Sequence, residues 1–349
     1  MSAEIQPQRS AGIRKGNSKM KKSEKIKPET EIKTVAIVGL GALGLLYGEH
    51  IQKMIGRENL FFPMDHTRYL HHKNDCYTVN GLPLDFQLVD AAESTPADLI
   101  IVAVKYNSLT SALDIMKPLL APHTILLSVM NGIVSEEIIA KRYPNATVLP
   151  CVAIGMDAMR DGTNLHYVNK GKLQIGAASE KQQKALATVD TFFQKISMPY
   201  HIEADIMHAM WKKFMINVGI NQACMVYDSS YAEVMQSPEK RASFERAMRE
   251  VMVLSEAEGI WLTEEDFNAA VELMNSMDPT SYPSMHQDYK AGRKSEVELF
   301  SGTVRRIADK HGISVPENDF YYRRIHEIES SYEQTSSPET ASALSAFPE

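Results

Sequence analysis

The segment that most limits the fold of this chain is residues 34–55, TVAIVGLGALGLLYGEHIQKMI, in which an apolar run, a glycine-rich turn and a helical pattern follow one another directly. Its glycines form the pattern G-x-G-x-x-G. In that pattern the first glycine allows a tight turn, the second lets a pyrophosphate approach the backbone, and the third lets the helix pack closely on the strand. Because a helix N-terminus attracts anions, the segment predicts a dinucleotide site formed by Gly39, Leu40, Gly41, Ala42, Leu43 and Gly44.

Strand candidates and helical segments alternate after this turn. The runs NLFFPMD, ADLIIVAVK and HTILLSVMNG are the strand candidates, and the last two are continuously apolar, as expected of parallel strands covered on both faces. The segment NSLTSALDIMKPLLAP, between the last two runs, fits a helix. ATVLPCVAIGMDAM and LHYVNKGKLQIGA are further strand candidates, and an antiparallel pairing is open to them. The alternation predicts βαβ units and a Rossmann-type, doubly wound parallel sheet.

The pattern changes near residues 200–205, after which the long segments have helical periodicity with Gly and Pro between them. We therefore expect an α/β fold in which an all-α C-terminal domain follows the Rossmann-type domain. The expected boundaries are a disordered basic tail over residues 1–32, a dinucleotide-binding domain over 33–203, a helical substrate and catalytic domain over 204–333, and a flexible C-terminus over 334–349.

The charge distribution argues against nucleic acid as a partner. The net charge is −7, yet residues 1–33 hold nine Lys and Arg against four Asp and Glu, so the rest of the chain is strongly acidic. Phosphate contact needs a basic surface. No apolar run approaches the ~20 residues that span a bilayer, so no membrane association is expected. The three cysteines are far apart, which argues against a disulfide framework or a metal site and favours a cytoplasmic protein.

A polar stripe interrupts the apolar helical segment WKKFMINVGIN, residues 211–221. Lys213, Asn217 and Asn221 are spaced i, i+4 and i+8 and therefore share one face of a helix, whereas Lys212 points about 100° away. At 1.5 Å per residue the stripe is about 12 Å long, which suits a small organic acid. A solvated helix face is the alternative interpretation, although asparagine is a poor helix former.

Polar residues also follow the apolar strands. Lys105 closes LIIVAVK and Asn131 follows ILLSVM, and ligands of open α/β sheets bind outside the carboxyl ends of strands. A surface lysine and an Asn-Gly turn are the alternatives. Asp65 stands where an NAD-type enzyme holds the adenosine ribose, yet Arg68 follows it and would suit a 2′-phosphate. A solvated surface charge explains Arg68 equally well.

Two patterns near the end of the chain predict helix termini. Ser295 and Glu298 fit a capping box, S-x-x-E, which predicts a helix whose first turn contains Glu296. In that position Glu296 would favour the helix dipole. The segment KHGISVPEN predicts a helix that ends at Gly312, with Pro316 beyond it.

Over about residues 33–330 the sequence resembles the ketopantoate reductase (2-dehydropantoate 2-reductase) family. The resemblance rests on six segments in the family's order: VGLGALG, VAVK, MNG, WKKFMINVGIN, SMHQDYKAGRKSEVE and KHGISVPEN. It implies a Rossmann domain, a helical domain and an active site in the cleft between them. The implied reaction is NADPH-dependent reduction of ketopantoate to (R)-pantoate, for pantothenate and coenzyme A biosynthesis. A homodimer is a further possibility.

The resemblance also implies a role for each matching position. The catalytic residues are Lys213, as the proton donor, and Glu296, which would orient that lysine and accept a substrate hydroxyl. The substrate-binding residues are Asn217, Asn221, Ser284 and Asn131. The cofactor-binding residues outside the glycine turn are Arg68, Lys105, Asn131 and Glu296.

Three departures from the family pattern leave alternatives open. Asp65 stands beside the expected basic residue, so NAD is not excluded in favour of NADP. MNG replaces H-N-G, and QACMVYD follows Asn221 in place of N-P-L-T. These two changes loosen the substrate assignment and keep a second reading, a reductase of the same fold acting on another 2-keto or opine-type acid. A third reading is a dinucleotide-sensing protein without catalysis, which would need the glycine turn but not Lys213.

Overall fold

The computed structural model describes residues 26–335. Residues 1–25 of the predicted tail and residues 336–349 of the predicted flexible C-terminus lie outside the described residues. The described part of the tail packs on the first domain, because Ile32 is buried and the backbone N–H of Glu29 donates to the Thr188 hydroxyl over 3.1 Å. Packed structure therefore starts ahead of residue 33.

Thirteen strands are present among the described residues. They are β1 (Val35–Val38), β2 (Leu60–Met64), β3 (Tyr77–Val79), β4 (Leu82–Leu84), β5 (Leu88–Asp90), β6 (Leu99–Val102), β7 (Ile125–Ser128), β8 (Thr147–Leu149), β9 (Cys151–Met156), β10 (Met159–Asp161), β11 (Asn164–His166), β12 (Lys170–Ile175) and β13 (Tyr200–Ile202).

The central sheet has the strand order β5-β2-β1-β6-β7-β8, and all of its pairings are parallel. From β1 the chain moves outward through β2 to β5, and from β6, on the other side of β1, it moves outward through β7 to β8. The doubly wound parallel sheet is thereby confirmed. The reversal between β1 and β6 opens a crevice at their carboxyl ends, where ligands of such sheets bind.

Two smaller sheets complete the first domain. In one, β9 pairs with β12 in the antiparallel sense and β12 pairs with β13 in the parallel sense. The pairing of β9 with β12 confirms the antiparallel option for the two segments that contain them. In the other sheet, the β10–β11 hairpin joins the β3–β4 hairpin through a parallel β11–β3 pairing.

The α-helices among the described residues are α1 (Ala42–Ile55), α2 (His66–His72), α3 (Leu109–Met116), α4 (Ser135–Arg142), α5 (Gln183–Lys195), α6 (Ile206–Val226), α7 (Tyr231–Gln236), α8 (Pro238–Ala257), α9 (Glu264–Ser276), α10 (Ser284–Lys290), α11 (Ser301–His311) and α12 (Pro316–Thr335). Helices α6 to α12 form the C-terminal domain. The long helix α6 is its centre, since Phe214, Met215 and Val218 are buried against the other helices.

The predicted capping box at Ser295 is wrong. Helix α11 begins at Ser301, and Glu296 lies at the start of a turn before it. The backbone N–H of Ser295 donates to the Glu329 carboxylate of α12 over 2.7 Å, while Glu298 accepts from the Tyr322 hydroxyl over 2.7 Å. Both partners of the expected box are therefore held by α12. The predicted end of α11 at Gly312 is confirmed, with a left-handed φ of 66°.

Candidate active site

The three positions of the turn between β1 and α1 are occupied by glycine for different structural reasons. Gly39 has a φ of 122°, and a Cβ there would lie 2.4 Å from the Ala103 carbonyl oxygen. A Cβ on Gly44 would lie 2.0 Å from the Gly39 carbonyl oxygen. A Cβ on Gly41 would meet only the Ala103 carbonyl oxygen, at 3.6 Å. The packing of the protein itself therefore requires Gly39 and Gly44, whereas Gly41 keeps space open beside the helix.

The N-terminus of α1 is built to receive an anion. Gly41 is the N-cap residue and no side chain caps the helix. The first N–H groups of such a helix lack acceptors within the helix and carry its positive dipole end. The open space at Gly41 and the uncapped N–H groups together fit the phosphates of a dinucleotide.

A shallow pocket adjoins the glycine turn on the side of β2. Its lining includes Leu40 of the turn, Arg68 of α2 and Ser108. Asp65, which directly follows β2, is the N-cap of α2, and its carboxylate accepts the backbone N–H of Arg68 over 2.9 Å. The side chain of Arg68 thus faces the pocket, while one oxygen of Asp65 is engaged in capping the helix.

Lys213 lies where the two domains meet. Its Nζ donates to the Asn131 Oδ1 over 3.1 Å and to the Ala153 carbonyl oxygen of β9 over 2.6 Å. Burial disfavours the charged ammonium and lowers the pKa of Lys213 to about 8, while the nearby Cys151 and Glu296 oppose this shift. A lysine with this pKa is mostly protonated at neutral pH and releases its proton more readily than a free lysine.

Asn131 bridges Lys213 and Glu296. Its Nδ2 donates to the Glu296 Oε2 over 3.2 Å, while its Oδ1 accepts from Lys213. Burial raises the pKa of Glu296, and the hydrogen bond from Asn131 opposes this rise. The structure therefore brings together three residues from separate parts of the chain, and it connects Glu296 to Lys213 through Asn131.

Asn217 and Asn221 follow Lys213 along α6, as the spacing predicts. Asn221 is buried, with 6 % of its surface exposed, and Asn217 is half-buried. Ser284 is exposed and is the first residue of α10, a helix that packs on α6. None of these three side chains has a hydrogen-bond partner within residues 26–335. The unpaired amide of Asn221 keeps contact with solvent, which is consistent with a ligand-binding role.

Lys212 is excluded from this stripe, as expected. Its Nζ lies 2.9 Å from the Asp266 carboxylate of α9, on the other side of α6. Hydrogen bonds to Thr263 and Lys212 hold the pKa of Asp266 well below its usual range although burial opposes them. Lys212 and Lys213 therefore bind different neighbours, and the choice of Lys213 for the site stays a prediction.

Lys105 meets a partner that the sequence did not reveal. Its Nζ lies 2.6 Å from both carboxylate oxygens of Asp288 on α10, so the pair joins the two domains. Arg293 also donates to Asp288, over 2.9 Å. The one available signal was position, since Asp288 lies four residues after Ser284 and shares its helix face.

Two kinds of site are missing from the described part of the chain. No helix within residues 26–335 is long and apolar enough to cross a membrane. The same residues contain no group of three or more His, Cys, Asp or Glu side chains that could hold a metal ion.

Comparisons with known proteins agree on one family. The family model "Ketopantoate reductase PanE/ApbA" matches residues 35–180, and "Ketopantoate reductase PanE/ApbA C terminal" matches residues 205–329. The 2-dehydropantoate 2-reductase of Streptococcus pyogenes serotype M6 is 26% identical over 300 residues, covering 84% of this chain and 96% of the relative. That of Vibrio cholerae is 24% identical over 298 residues, covering 85% and 98%.

Solved structures share the fold. A ternary structure of D-mandelate dehydrogenase with NADH and anilino(oxo)acetate has a TM-score of 0.76 at 21% identity, covering 86% of this chain and 99% of that one. A dimeric ketopantoate reductase from Staphylococcus aureus has a TM-score of 0.72 at 22% identity, with the same coverage. At these identities the likeness concerns the fold.

Proposed function

The chain belongs to the ketopantoate reductase family of oxidoreductases, and from that premise we propose that it reduces a 2-keto acid with NADPH, with 2-dehydropantoate as the substrate and (R)-pantoate as the product. The observation that carries the proposal is the hydrogen-bonded position of Lys213, whose pKa is about 8. Three other features support it, namely the open glycine turn, the unpartnered asparagines and the crevice of the sheet. Pantothenate biosynthesis is the corresponding pathway.

The residues of the first domain fit a nicotinamide dinucleotide. The phosphates would lie at the uncapped N-terminus of α1 beside Gly41, and the adenosine in the pocket lined by Leu40 and Arg68. From there the dinucleotide would extend across the crevice toward Asn131 and Lys213. When bound, the nicotinamide supplies the hydride, and the protein positions it.

Lys213 provides the proton of the reaction. Negative charge develops on the keto oxygen as its carbon is reduced, and a nearby ammonium both stabilises this charge and protonates it. The hydrogen bonds to Asn131 and Ala153 fix the Nζ before the substrate arrives, which avoids a loss of side-chain entropy in the reaction. Glu296 acts on the lysine through Asn131, and its carboxylate is also placed to accept a substrate hydroxyl.

Asn217, Asn221 and Ser284 would bind the carboxylate and hydroxyl groups of the substrate. Asn217 and Asn221 share the face of α6 that carries Lys213, and Ser284 shares the face of α10 that carries Asp288. None of these three side chains has a hydrogen-bond partner among the described residues. The residue Asn221 is largely buried, yet its unpaired amide keeps contact with solvent and is therefore accessible to a ligand. A substrate that carries several oxygen atoms would offer this amide hydrogen-bond partners.

The position of Arg68 favours NADPH over NADH. Arg68 lines the adenosine pocket and forms no ion pair within the described residues, so its guanidinium is available to a 2′-phosphate. Asp65 uses one carboxylate oxygen to cap α2. NADH remains the second candidate because the other oxygen of Asp65 could accept a ribose hydroxyl, and D-mandelate dehydrogenase, which has the same fold, binds NADH.

Reduction of another 2-keto or opine-type acid is the second candidate function, favoured by the departures at MNG and QACMVYD. A sensor without catalysis would not need the bridge from Lys213 through Asn131 to Glu296. We also propose a homodimer, by analogy with the dimeric S. aureus relative. A cytoplasmic location is supported by three cysteines that are free thiols.

The test is to follow the oxidation of NADPH and of NADH with 2-dehydropantoate, phenylglyoxylate and a panel of other 2-keto acids. The proposal expects the highest kcat/KM for NADPH with 2-dehydropantoate. A higher kcat/KM with another acid would transfer the activity to the second candidate. If no acid supported oxidation while NADPH bound tightly, the sensor interpretation would replace both.

Substitution of Arg68 tests the cofactor preference separately. In Arg68→Ala, NADPH should bind about tenfold or more weakly, because a charge-assisted hydrogen bond to phosphate is lost, and the affinity for NADH should be unchanged. The matched control is Asp65→Asn, which should affect NADH only. Equal losses for both cofactors in Arg68→Ala would remove Arg68 from the 2′-phosphate site.

A further inference from the structure

Arg160, on the β10–β11 hairpin, touches the glycine turn from outside the central sheet. Its Nη1 donates to the carbonyl oxygen of Leu40, the residue between Gly39 and Gly41. Its Nε donates to the Gly162 carbonyl oxygen over 2.7 Å. Arg160 is exposed, and no acidic side chain pairs with it within residues 26–335. An unpaired guanidinium is therefore held in a fixed orientation at the main chain of the turn.

The hairpin that carries Arg160 is anchored. Arg160 stands opposite Leu165 in the β10–β11 register, and Leu165 is fully buried. Strand β11 also pairs with β3, which ties the hairpin into a four-stranded sheet. The paired strands thus set the backbone at Arg160, the Leu40 and Gly162 carbonyl oxygens hold its guanidinium, and the outer N–H groups are free to bind a ligand.

The other cationic side chains along the proposed cofactor path are already assigned to other contacts. Lys105 is paired with Asp288, Arg68 lines the adenosine pocket, and Lys213 is bound to Asn131 and Ala153. A dinucleotide pyrophosphate carries two negative charges, and the dipole of α1 supplies only about half a positive charge. In a chain of net charge −7, a further cation at the turn would offset part of the remaining charge.

We propose that Arg160 is a pyrophosphate-binding residue: its guanidinium, held at Leu40, closes the anion site that Gly41 and the N-terminus of α1 open. This inference rests on the proposed dinucleotide site and adds to it a residue from outside the βαβ unit. The Arg160 site serves the pyrophosphate that NADPH and NADH share. It therefore sets affinity for both cofactors, whereas Arg68 selects between them.

The test measures the binding of NADPH, NADH and ADP-ribose to the full chain, without any keto acid, by nucleotide fluorescence and calorimetry. Arg160→Gln keeps a donor for the Leu40 carbonyl but removes the charge, and Arg160→Lys keeps the charge. Arg160→Gln should weaken all three ligands by a similar factor of roughly tenfold, and Arg160→Lys by less. The affinity of the wild type should also fall more steeply with added salt than that of Arg160→Gln. Arg142→Gln, on the exposed side of α4, controls for net charge.

Three results would overturn the inference. Arg160→Gln could bind all ligands as the wild type does, it could lose affinity for NADPH alone, or Arg160→Gln and Arg160→Lys could lose affinity equally with an unchanged salt dependence. The last result would mean that Arg160 only stabilises the turn through its hydrogen bond to Leu40 and does not bind the pyrophosphate. A wild type that binds none of the three ligands would instead refute the proposed function, so the two failures are distinguishable.

Discussion

Substitution of Lys213 and of Lys212 separates the roles of two lysines that are adjacent in the chain. Lys213→Ala should lower kcat by several orders of magnitude, because the proton donor and the charge near the keto oxygen are both lost. The dissociation constant of NADPH should stay within about twofold, since Lys213 binds Asn131 and Ala153 rather than the glycine turn. Steady-state kinetics and nucleotide fluorescence measure the two quantities.

Lys212→Ala is the matched control. It removes a partly exposed ion pair to Asp266, which contributes about 0.2–1 kcal/mol to the free energy of unfolding, and should leave kcat unchanged. Wild-type kcat in Lys213→Ala, or a large loss in Lys212→Ala, would contradict the assignment of the proton donor.

The pKa of Lys213 sets the pH dependence of reduction. The proton donor must be charged, and burial lowers its pKa to about 8, so the active form is present below that pH and is lost above it. We expect kcat to fall by about tenfold per pH unit above pH 8. The measurement is kcat at saturating substrate over a series of pH values. A decline that starts only near the free-lysine pKa of ~10.4 would show that Lys213 is not desolvated.

Helix α6 carries two buried amides in succession, and only one is paired. Asn221 has no partner among the described residues, whereas Gln222 accepts from the Ser301 hydroxyl over 2.7 Å and donates to the Val218 carbonyl oxygen. Asn221→Ala should raise the KM for the keto acid by about tenfold or more without lowering the free energy of unfolding. Gln222→Ala should leave the KM unchanged and lower the free energy of unfolding by about 1–3 kcal/mol.

Thermal unfolding and substrate titration distinguish these two outcomes. If Asn221→Ala destabilised the protein and left KM unchanged, its amide would belong to the core rather than to the substrate site. The comparison is made within one helix, one residue apart, so differences in helix propensity are small.

At the scale of secondary structure, the sequence predicted what depends on local pattern. Parallel strands such as β6 and β7 are continuous apolar runs, and the stripe on α6 follows from helix periodicity. The capping box at Ser295 failed because its two partners bind Glu329 and Tyr322 from α12, and a local pattern does not contain that competition. The ion pair of Lys105 with Asp288 joins residues 183 positions apart, which no spacing rule predicts.

At the scale of the whole molecule, the pair of Lys105 and Asp288 fastens one domain to the other. Asp288 is buried and also binds Arg293, so Asp288→Asn should lower the free energy of unfolding by about 1–2 kcal/mol. A double-mutant cycle with Lys105→Met should give a coupling energy of about 1 kcal/mol, because Lys105 is partly exposed.

Denaturant titration of the four proteins in this cycle measures the coupling. Asp114→Asn, which removes an exposed pair to Arg142 at 3.4 Å, is the control and should have almost no effect. A coupling energy near zero for Lys105 and Asp288 would mean that this ion pair does not stabilise the contact between the domains, which would then rest on apolar packing and on the hydrogen bonds of Lys213 and Asn131.

The different reasons for the glycines of the turn also predict how the turn would drift in evolution. Gly39 and Gly44 are required by the clashes that a Cβ would make with Ala103 and Gly39, whether or not a ligand is bound. Gly41 makes no such clash. A descendant of this chain that abandoned dinucleotides would therefore keep the first and third glycines under selection for folding, and would lose the second. Within the turn, only the residue at position 41 would therefore indicate whether such a descendant still binds a dinucleotide.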